Sequence, residues 1–335
     1  MNLSSSLINL TWVILFLVSS LVGICTLAGF LGRLWWRLDL FSHFRVQYFI
    51  LLTISSIFFL LGGKTVGAIA SGVFALINAF QLFPLYLSPR SSSLENSTTS
   101  TRIDPPEPSS TYRVLLANVL QKNQQYKKVI HLIQTAGPNI VVLIEVNQHW
   151  IDGLQPILAG YAHFHYSLRV DNYGIAIYSQ FPLISAETLY FGEAGVPSIV
   201  AHINLHGIPL TLIGTHPPPP KSRTEALYRD QQLDAIAAYL VTQPGCRMIL
   251  GDLNITPWSP YFKQLLRNGV LRDSQQGQGI QPSWPVDNPF LRVPIDHILV
   301  SPEIKVHKRL LGQRIGSDHL PVVMDFSLIN TTYRI

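Results

Sequence analysis

Charged residues are scarce in this chain of 335 residues, and the shortage is confined to one part of it. Charged side chains make up 13% of the chain. Residues 7–87 contain only five of them, which are Arg33, Arg37, Asp39, Arg45 and Lys64. The net charge of +5 divides into +3 for this segment, −1 for residues 88–111 and +3 for the remainder. Tight non-specific binding of nucleic acid needs a large surplus of lysine and arginine, so the small surplus in the C-terminal part counts against it.

Cysteine is also rare. The chain has two, Cys25 within an apolar run and Cys246 further along. Two cysteines do not define a zinc site, and we expect no disulfide between them. The N-terminus lacks the basic residues with which a cleaved signal peptide begins, and its apolar run is longer than such a peptide has. We therefore expect that run to stay in the protein.

Three long apolar runs follow one another at about residues 7–31, 46–63 and 65–87. A helix that crosses a bilayer needs about 20 consecutive, mostly apolar residues. The second run is slightly short, and Gly62-Gly63-Lys64 leaves room for only a tight turn before the third. Buried helices of a soluble domain are the alternative, but three such runs in succession favour a membrane anchor with three transmembrane helices over residues 1–87.

Residues 88–111 are rich in serine, threonine and proline, for example in Pro105-Pro106-Glu107-Pro108. Such a segment has too few apolar residues to form a core, so we predict an extended, solvated linker. The linker separates the apolar runs from a globular domain predicted over residues 112–335.

Strand and helix patterns alternate after the linker. Strands are predicted at residues 114–120, 140–144, 174–178, 198–205, 208–214, 248–250, 295–300 and 320–326, and helices at 122–136 and 224–240. Hairpins mixed with crossing helices predict an α/β (α+β) four-layer sandwich, in which two packed mixed β-sheets are flanked by helices. We expect Arg223 and Arg229 to lie on a solvated face of the second helix.

Polar residues recur where these strands end. The central example is Met248-Ile249-Leu250-Gly251-Asp252-Leu253-Asn254, in which a buried strand is followed by a carboxylate and an amide two residues apart. On an extended backbone both side chains would point to the same side. The other examples are Asn118, Glu145, Thr215-His216, Ile295-Asp296-His297 and Ser317-Asp318-His319. Each could be a simple turn or cap, but a carboxylate after four apolar residues, as at Glu145, is costly unless it is paired or bound to a metal.

In this order the motifs resemble the endonuclease/exonuclease/phosphatase superfamily, which includes deoxyribonuclease I-like nucleases, inositol-phosphate phosphatases and sphingomyelinases. The apolar N-terminus, Ser283-Trp284-Pro285 and Pro294-Ile295-Asp296-His297 are most similar to membrane-anchored bacterial members such as the teicoplanin-resistance type of membrane phosphatase. The resemblance covers about residues 112–327.

The resemblance also implies a role for each motif residue. Glu145, Asn118 and Asp318 match metal-site residues, with Mg²⁺ the expected ion and Mn²⁺ the alternative. His319 matches the general base, which we expect to have a near-neutral pKa, and Asp296 the aspartate that orients it. Asp252 matches the aspartate that positions the nucleophile. His216, Asn254 and Asn118 match the residues that contact the substrate phosphate.

Residues 112–335 are therefore predicted to be the catalytic domain of a membrane-anchored, metal-dependent phosphoesterase. Its expected partners are the lipid bilayer and a phosphate-containing substrate, lipid-linked or small rather than nucleic acid. A membrane-bound nuclease and a non-catalytic membrane scaffold are the alternatives.

The side of the membrane is predicted in two opposite ways. The three arginines between the first two runs outnumber Lys64 in the next connection, which favours a cytoplasmic catalytic domain. The similar membrane phosphatases act on the outer face. We adopt the outer face of a multi-pass plasma-membrane protein as the expectation.

Overall fold

The structure, a computed structural model, describes residues 3–87 and 111–329, without the side chains of residues 3–6 and 8. The linker predicted at residues 88–111 lies outside the described residues except for Thr111. The described residues form a set of N-terminal helices and an α/β part.

The N-terminal helices are α1 (Leu3–Ala28), α2 (Trp36–Leu40), α3 (Arg45–Leu61) and α4 (Thr65–Leu82). Three segments are long and apolar enough to cross a membrane: Asn9–Leu31, Trp36–Leu61 and Thr65–Tyr86. The second begins earlier than the predicted residue 46, because α2 and a 3-10 helix at Phe41–Phe44 lead directly into α3. Much of the segment between the first two apolar runs is therefore helical.

A buried polar cluster joins these helices. Arg45 Nη1 donates to the Thr26 carbonyl oxygen at 2.8 Å and to Asn78 Oδ1 at 3.3 Å. Asn78 Nδ2 in turn donates to Thr26 Oγ1 at 2.9 Å. Hydrogen bonds of this kind hold helices together where the surroundings offer no water as a competitor. The three residues come from α1, α3 and α4, so the cluster fixes all three long helices against one another.

The α/β part contains four helices and twelve strands. The helices are α5 (Tyr126–Ala136), α6 (Gln148–Leu158), α7 (Arg223–Val241) and α8 (Pro260–Asn268). The strands are β1 (Tyr112–Asn118), β2 (Ile140–Ile144), β3 (His163–Ser167), β4 (Ile175–Ser179), β5 (Leu183–Leu189), β6 (Ser198–Leu205), β7 (Ile208–Thr215), β8 (Cys246–Asp252), β9 (Arg272–Asp273), β10 (Asp296–Val300), β11 (Ile304–Leu311) and β12 (Val322–Leu328).

The strands form two sheets of six. One has the order β11-β12-β1-β2-β4-β3 and the other the order β5-β6-β7-β8-β10-β9. The pairs β1–β2 and β7–β8 are parallel and the remaining pairs are antiparallel, so both sheets are mixed.

Three apolar layers separate four layers of structure. Alternate residues of both sheets, such as Val114 and Val142 from the first and Leu212 and Leu250 from the second, pack into one core between them. The opposite face of the first sheet packs under α5 and α6, and that of the second under α7 and α8. The predicted four-layer sandwich is confirmed.

Several element predictions need correction. The first predicted helix begins at Tyr126 rather than residue 122. Five sizeable elements of the α/β part were missed: β3, β5, β11, α6 and α8. The missed strands β3 and β11 lie at sheet edges and β5 is half exposed. An edge strand needs apolar residues on one face at most, so its sequence lacks the continuous apolar run by which buried strands are found.

Candidate active site

All the predicted site residues come from one edge of the sandwich, where parallel strands end and their antiparallel neighbours begin. Asn118 ends β1, Glu145 follows β2, His216 follows β7 and Asp252 ends β8. Asp296 opens β10 and pairs directly opposite Asp252 in the ladder. Because the two sheets face each other, residues from both meet at this edge.

Glu145 and Asn118 form the part of the site that the first sheet supplies. Asn118 Nδ2 donates to Glu145 Oε1 at 3.0 Å and lies 3.3 Å from Asp252 Oδ2 of the second sheet. Glu145 has a φ of +64°, a conformation that turns its side chain out of the strand direction. Burial raises the pKa of Glu145, helped by the nearby charge of Asp318. A buried carboxylate in this state is suited to bind a cation.

Asp252 lies at the centre of the site. Its Oδ1 accepts from the backbone N–H of Asn254 at 3.0 Å, which closes a tight turn. Asn254 has a φ of +51°, so the turn that the Gly-Asp-x-Asn pattern also allows is formed in place of an extended backbone. The Asn254 side chain instead donates through Nδ2 to the Pro217 carbonyl oxygen at 3.0 Å, which leaves its second amide hydrogen for another partner.

His319 is held between two buried carboxylates. Its Nδ1 lies 2.8 Å from Asp296 Oδ2, and its Nε2 lies 3.5 Å from Asp252 Oδ2. Burial alone would lower the pKa of His319, but Asp296 and Asp252 outweigh it and raise that pKa to about 10. The same contact holds the pKa of Asp296 below its usual range despite burial. The pair is thus an imidazolium and a carboxylate, and the expected near-neutral pKa of His319 is not found.

His216 faces Asp252 from another direction. Its Nε2 lies 3.5 Å from Asp252 Oδ2, and its Nδ1 is 3.1 Å from the carbonyl oxygen of Asn172. Burial and the charge of His319 lower the pKa of His216 to about 4. Burial also raises the pKa of Asp252 to about 7. The carbonyl can only accept, so neutral His216 carries its hydrogen on Nδ1.

Asp318 and its neighbours close the site, and one of these neighbours was missed as a site residue. Trp284 Nε1 donates to Asp318 Oδ2 at 3.1 Å, and the Trp284 ring lies 6.2 Å from that of His319. Asp318 Oδ1 is buried and has no hydrogen-bond partner among the described residues. The Ser283-Trp284-Pro285 motif did mark this position, although only as part of the resemblance.

Helix α7 supports the ends of β7 and β8 from behind, contrary to prediction. Arg223 is exposed, but the prediction of a solvated Arg229 is wrong, since its side chain is 1% exposed. Arg229 Nη1 donates to the Asn254 carbonyl oxygen at 3.1 Å. One turn further, Gln232 Nε2 donates to Thr215 Oγ1 at 2.9 Å. Polar residues three apart share one helix face, and here that face is turned inward because it satisfies polar groups at the strand ends.

The arrangement offers two sets of groups that could hold a metal ion. Ligand atoms of Asp252, Asp296 and His319 lie within 4.8 Å of one another. The second set consists of Glu145, Asn118 and Asp318, where Asp318 Oδ1 has no hydrogen-bond partner among the described residues and burial raises the pKa of Glu145. In the first set His319 contacts Asp296 Oδ2, while Asp296 Oδ1 is buried without a hydrogen-bond partner among the described residues. The second set fits a hard divalent cation better because its ligand atoms are oxygens.

Comparison with known proteins agrees with this geometry. Residues 110–319 match the model of the Endonuclease/Exonuclease/phosphatase family. A search of curated proteins finds no match. Among solved structures, truncated Caenorhabditis elegans TDP2 is 20% identical with a TM-score of 0.54, over 65% of this chain and 97% of that chain. The human Nocturnin catalytic domain with bound sulfate is 21% identical with a TM-score of 0.54, over 65% and 94% of the two chains. The Bacteroides thetaiotaomicron mannosyl-6-phosphatase is 18% identical with a TM-score of 0.55, over 65% and 100%.

The sandwich and the acid–histidine cluster at its edge define an enzyme that hydrolyses phosphoester bonds. Since the family model covers more than half of the chain, the chain belongs to the endonuclease/exonuclease/phosphatase family. The solved structures, at these identities, are similar in fold. The closer resemblance to membrane-anchored bacterial members stays a prediction.

Proposed function

We propose that this protein is a membrane-anchored, divalent-metal-dependent phosphoesterase that hydrolyses the phosphate ester or diphosphate of a lipid. The observation that carries the proposal is the closed group of Asn118, Glu145, Asp252, Asp296 and His319 at the edge of the sandwich. The five side chains are buried and connected within 3.5 Å from one to the next. Burial of so many ionisable groups is costly unless they serve a ligand.

The cation is assigned to Glu145, Asn118 and Asp318, with Mg²⁺ as the ion and Mn²⁺ as the alternative. The burial of Glu145, the nearby charge of Asp318 and the unpartnered Asp318 Oδ1 support this assignment, and carboxylate oxygens are the ligands that Mg²⁺ prefers. A divalent cation there would supply the positive charge that neutralises the phosphate and brings the pKa of His319 down into the range of a base.

The contacts of His319, Asp252, His216 and Asn254 support the roles proposed for them. The 2.8 Å contact with Asp296 fixes the ring of His319, so that Nε2 points into the site and can accept a proton from water. Asp252 lies beside Nε2 and is placed to orient that water. His216 and the free amide hydrogen of Asn254 are the candidate donors to phosphate oxygens. Neutral His216 has no hydrogen on Nε2, so the arriving anion must first raise the pKa of this histidine.

A lipid substrate is supported by the segment that carries Trp284. Trp284 pairs with Val293, so residues 285–292 form the tip of a hairpin beside the site. The tip exposes Phe290 and Leu291, which are 84% and 50% accessible. Gln47 Nε2 of α3 donates to the carbonyl oxygens of Phe290 and Arg292 at 3.1 and 3.2 Å.

The position of this hairpin matters because α3 belongs to a segment long enough to cross a membrane. Gln47 is one turn before Ile50 and Leu51, which are 49% and 45% exposed on the outside of the helix bundle. With those residues in lipid, the tip of the hairpin would lie at the bilayer surface. The mouth of the site would then meet phosphate groups of lipids directly.

One assay with the full-length protein tests this proposal. A generic phosphodiester, a diphosphate lipid in vesicles and single-stranded DNA are offered with and without Mg²⁺. We expect metal-dependent turnover, highest on the lipid. Preferential cleavage of DNA would favour the nuclease, and no turnover of any substrate would favour the binding scaffold.

We further propose that the catalytic part lies on the outer face of the plasma membrane. The layout shared with outer-face membrane phosphatases supports this orientation. The test is a reporter fused after Ile335, for which alkaline phosphatase activity without green fluorescence is expected. Fluorescence alone would place the site in the cytoplasm.

A further inference from the structure

The N-terminal helices and the active-site edge are joined by an acid that is completely buried between them. Asp39 of α2 is 1% exposed and has two partners in the α/β part. Its Oδ2 accepts from Arg229 Nη2 at 3.0 Å, and its Oδ1 accepts from Ser259 Oγ at 2.7 Å. Arg229 is equally buried, so the charged groups of both residues are desolvated where they pair. Burying an acid in an apolar helical segment costs free energy unless the acid is paired, and here Arg229 and Ser259 are its partners.

The guanidinium of Arg229 reaches three oxygens from one planar group. Nη2 binds Asp39, Nε donates to Asp230 Oδ1 at 2.8 Å, and Nη1 donates to the Asn254 carbonyl oxygen. Lysine could not reproduce this fork. Asp39 is therefore two hydrogen bonds away from the backbone of a residue that faces the substrate.

Asn254 is held in a conformation that needs support. Its φ of +51° is one that side chains other than glycine adopt infrequently, and such a conformation persists when surrounding contacts fix it. The turn to Asp252 fixes the N–H of Asn254, and Arg229 fixes its carbonyl oxygen. These two contacts orient the backbone from which the amide side chain extends, and the hydrogen bond from Nδ2 to the Pro217 carbonyl oxygen holds the amide itself.

The contact continues along the segment after Asn254. Trp258 packs against Leu82 and Leu85 of the N-terminal helices. Ser259, which binds Asp39, also caps α8 by accepting from Tyr261 N at 3.2 Å. Trp258 and Ser259 thus contact the N-terminal helical part directly, and Asn254 is joined to Asp39 through Arg229.

We propose that Asp39 is a positioning residue of the active site. Through Arg229 it holds the carbonyl oxygen of Asn254, and it thereby sets the orientation of the amide that contacts the substrate phosphate. The N-terminal helices are on this view a part of the active-site structure as well as an anchor. The role of Asn254 in this inference rests on the proposed function.

The test compares three variants of the full chain in detergent micelles. Asp39→Asn removes the charge that holds Arg229, and Arg229→Lys keeps a charge but loses the fork. Gln81→Ala is the matched control, because it removes the 2.9 Å hydrogen bond from Lys263 Nζ, another contact between an N-terminal helix and α8. That contact does not involve Arg229 or Asn254.

Two measurements are made on each variant. Amide hydrogen exchange of residues 253–259 needs no activity. The inhibition constant of inorganic phosphate against bis(p-nitrophenyl) phosphate hydrolysis does not depend on the fraction of molecules that are folded. We expect about tenfold faster exchange and about tenfold weaker inhibition for Asp39→Asn and Arg229→Lys, the effect of losing one charge-assisted hydrogen bond. Gln81→Ala should change neither.

The outcomes separate the two proposals. Faster exchange with an unchanged inhibition constant would mean that Asp39 only holds the parts together, and it would overturn the inference. Unchanged exchange in both variants, or equal changes in Gln81→Ala, would also overturn it. If the unaltered protein hydrolyses no phosphoester, the proposed function fails, while hydrogen exchange still decides whether Asp39 holds the segment. If Asp39→Asn does not fold, Arg229→Lys alone decides.

Discussion

Replacing Asp296 with asparagine should show whether the buried acid and His319 act as one unit. The carboxylate lies 2.8 Å from His319 Nδ1, and asparagine keeps its shape but loses its charge. If the new amide turns its nitrogen towards Nδ1, the ring must carry its hydrogen on Nε2, where the proposed base needs a lone pair. We expect turnover to fall by roughly a hundredfold or more, equivalent to about 2.7 kcal/mol in the activation free energy.

The partner substitution His319→Ala should cost about as much in turnover and more in stability. It leaves Asp296 buried without a counter-charge, and removing one member of a buried pair typically costs about 3–5 kcal/mol. We therefore expect a lower melting temperature for His319→Ala than for Asp296→Asn. The partly buried pair of Asp325 and Arg113 provides a control through Asp325→Asn, because Arg113 lies near the start of β1, at the opposite end of that strand from Asn118.

A double-mutant cycle on metal-dependent hydrolysis of a soluble phosphodiester completes this test. If the two residues act together, the double variant should lose little more activity than His319→Ala alone. Losses that multiply would mean that Asp296 acts on something other than the histidine, and the assignment of the pair would be wrong.

The remaining predictions concern the metal and the membrane. Glu145→Gln should abolish activity while the melting temperature stays within a few degrees, because the amide keeps the volume and loses the charge; full activity in excess chelator would contradict the metal assignment. Serine at both Phe290 and Leu291 should lower hydrolysis of a lipid phosphate in vesicles by tenfold or more and leave a soluble ester unaffected, since each buried apolar side chain contributes about 1.5–3 kcal/mol. Ile184→Ser, at an exposed apolar residue of β5, is the control. Equal losses on both substrates in the Phe290 and Leu291 variant would contradict the proposal that these residues contact the bilayer.

The four-layer sandwich could be predicted from the sequence because the buried strands are continuous apolar runs. Strands buried on both faces, such as β2, were predicted to the residue, and the positions of Glu145 and Asp252 followed from where the strands end. The left-handed conformation of Asn254 was not predictable, since the Gly-Asp-x-Asn pattern fits both an extended end and a tight turn. The burial of Arg229 was also missed, because its partners Asp39 and Asn254 are distant from it along the chain.

The structure also changes how the loop charges should be weighed. The argument for a cytoplasmic catalytic part counted Arg33, Arg37 and Arg45 as free loop charges. Arg45 is buried among α1, α3 and α4, Arg33 donates to Gln264 of α8 at 2.9 Å, and Arg37 lies over the rings of Trp35 and Trp36. The positive-inside rule concerns charges that resist transfer across the bilayer as solvated loop residues.

Arg45 is buried in the helix cluster, whereas Arg33 and Arg37 are exposed although each also makes a contact. Their number therefore says less about topology than the same count in a solvated loop would. Lys64 is likewise exposed, in the turn between α3 and α4. With the buried Arg45 discounted, the charge bias falls to two exposed arginines against Lys64, which weakens the argument against an outward-facing site.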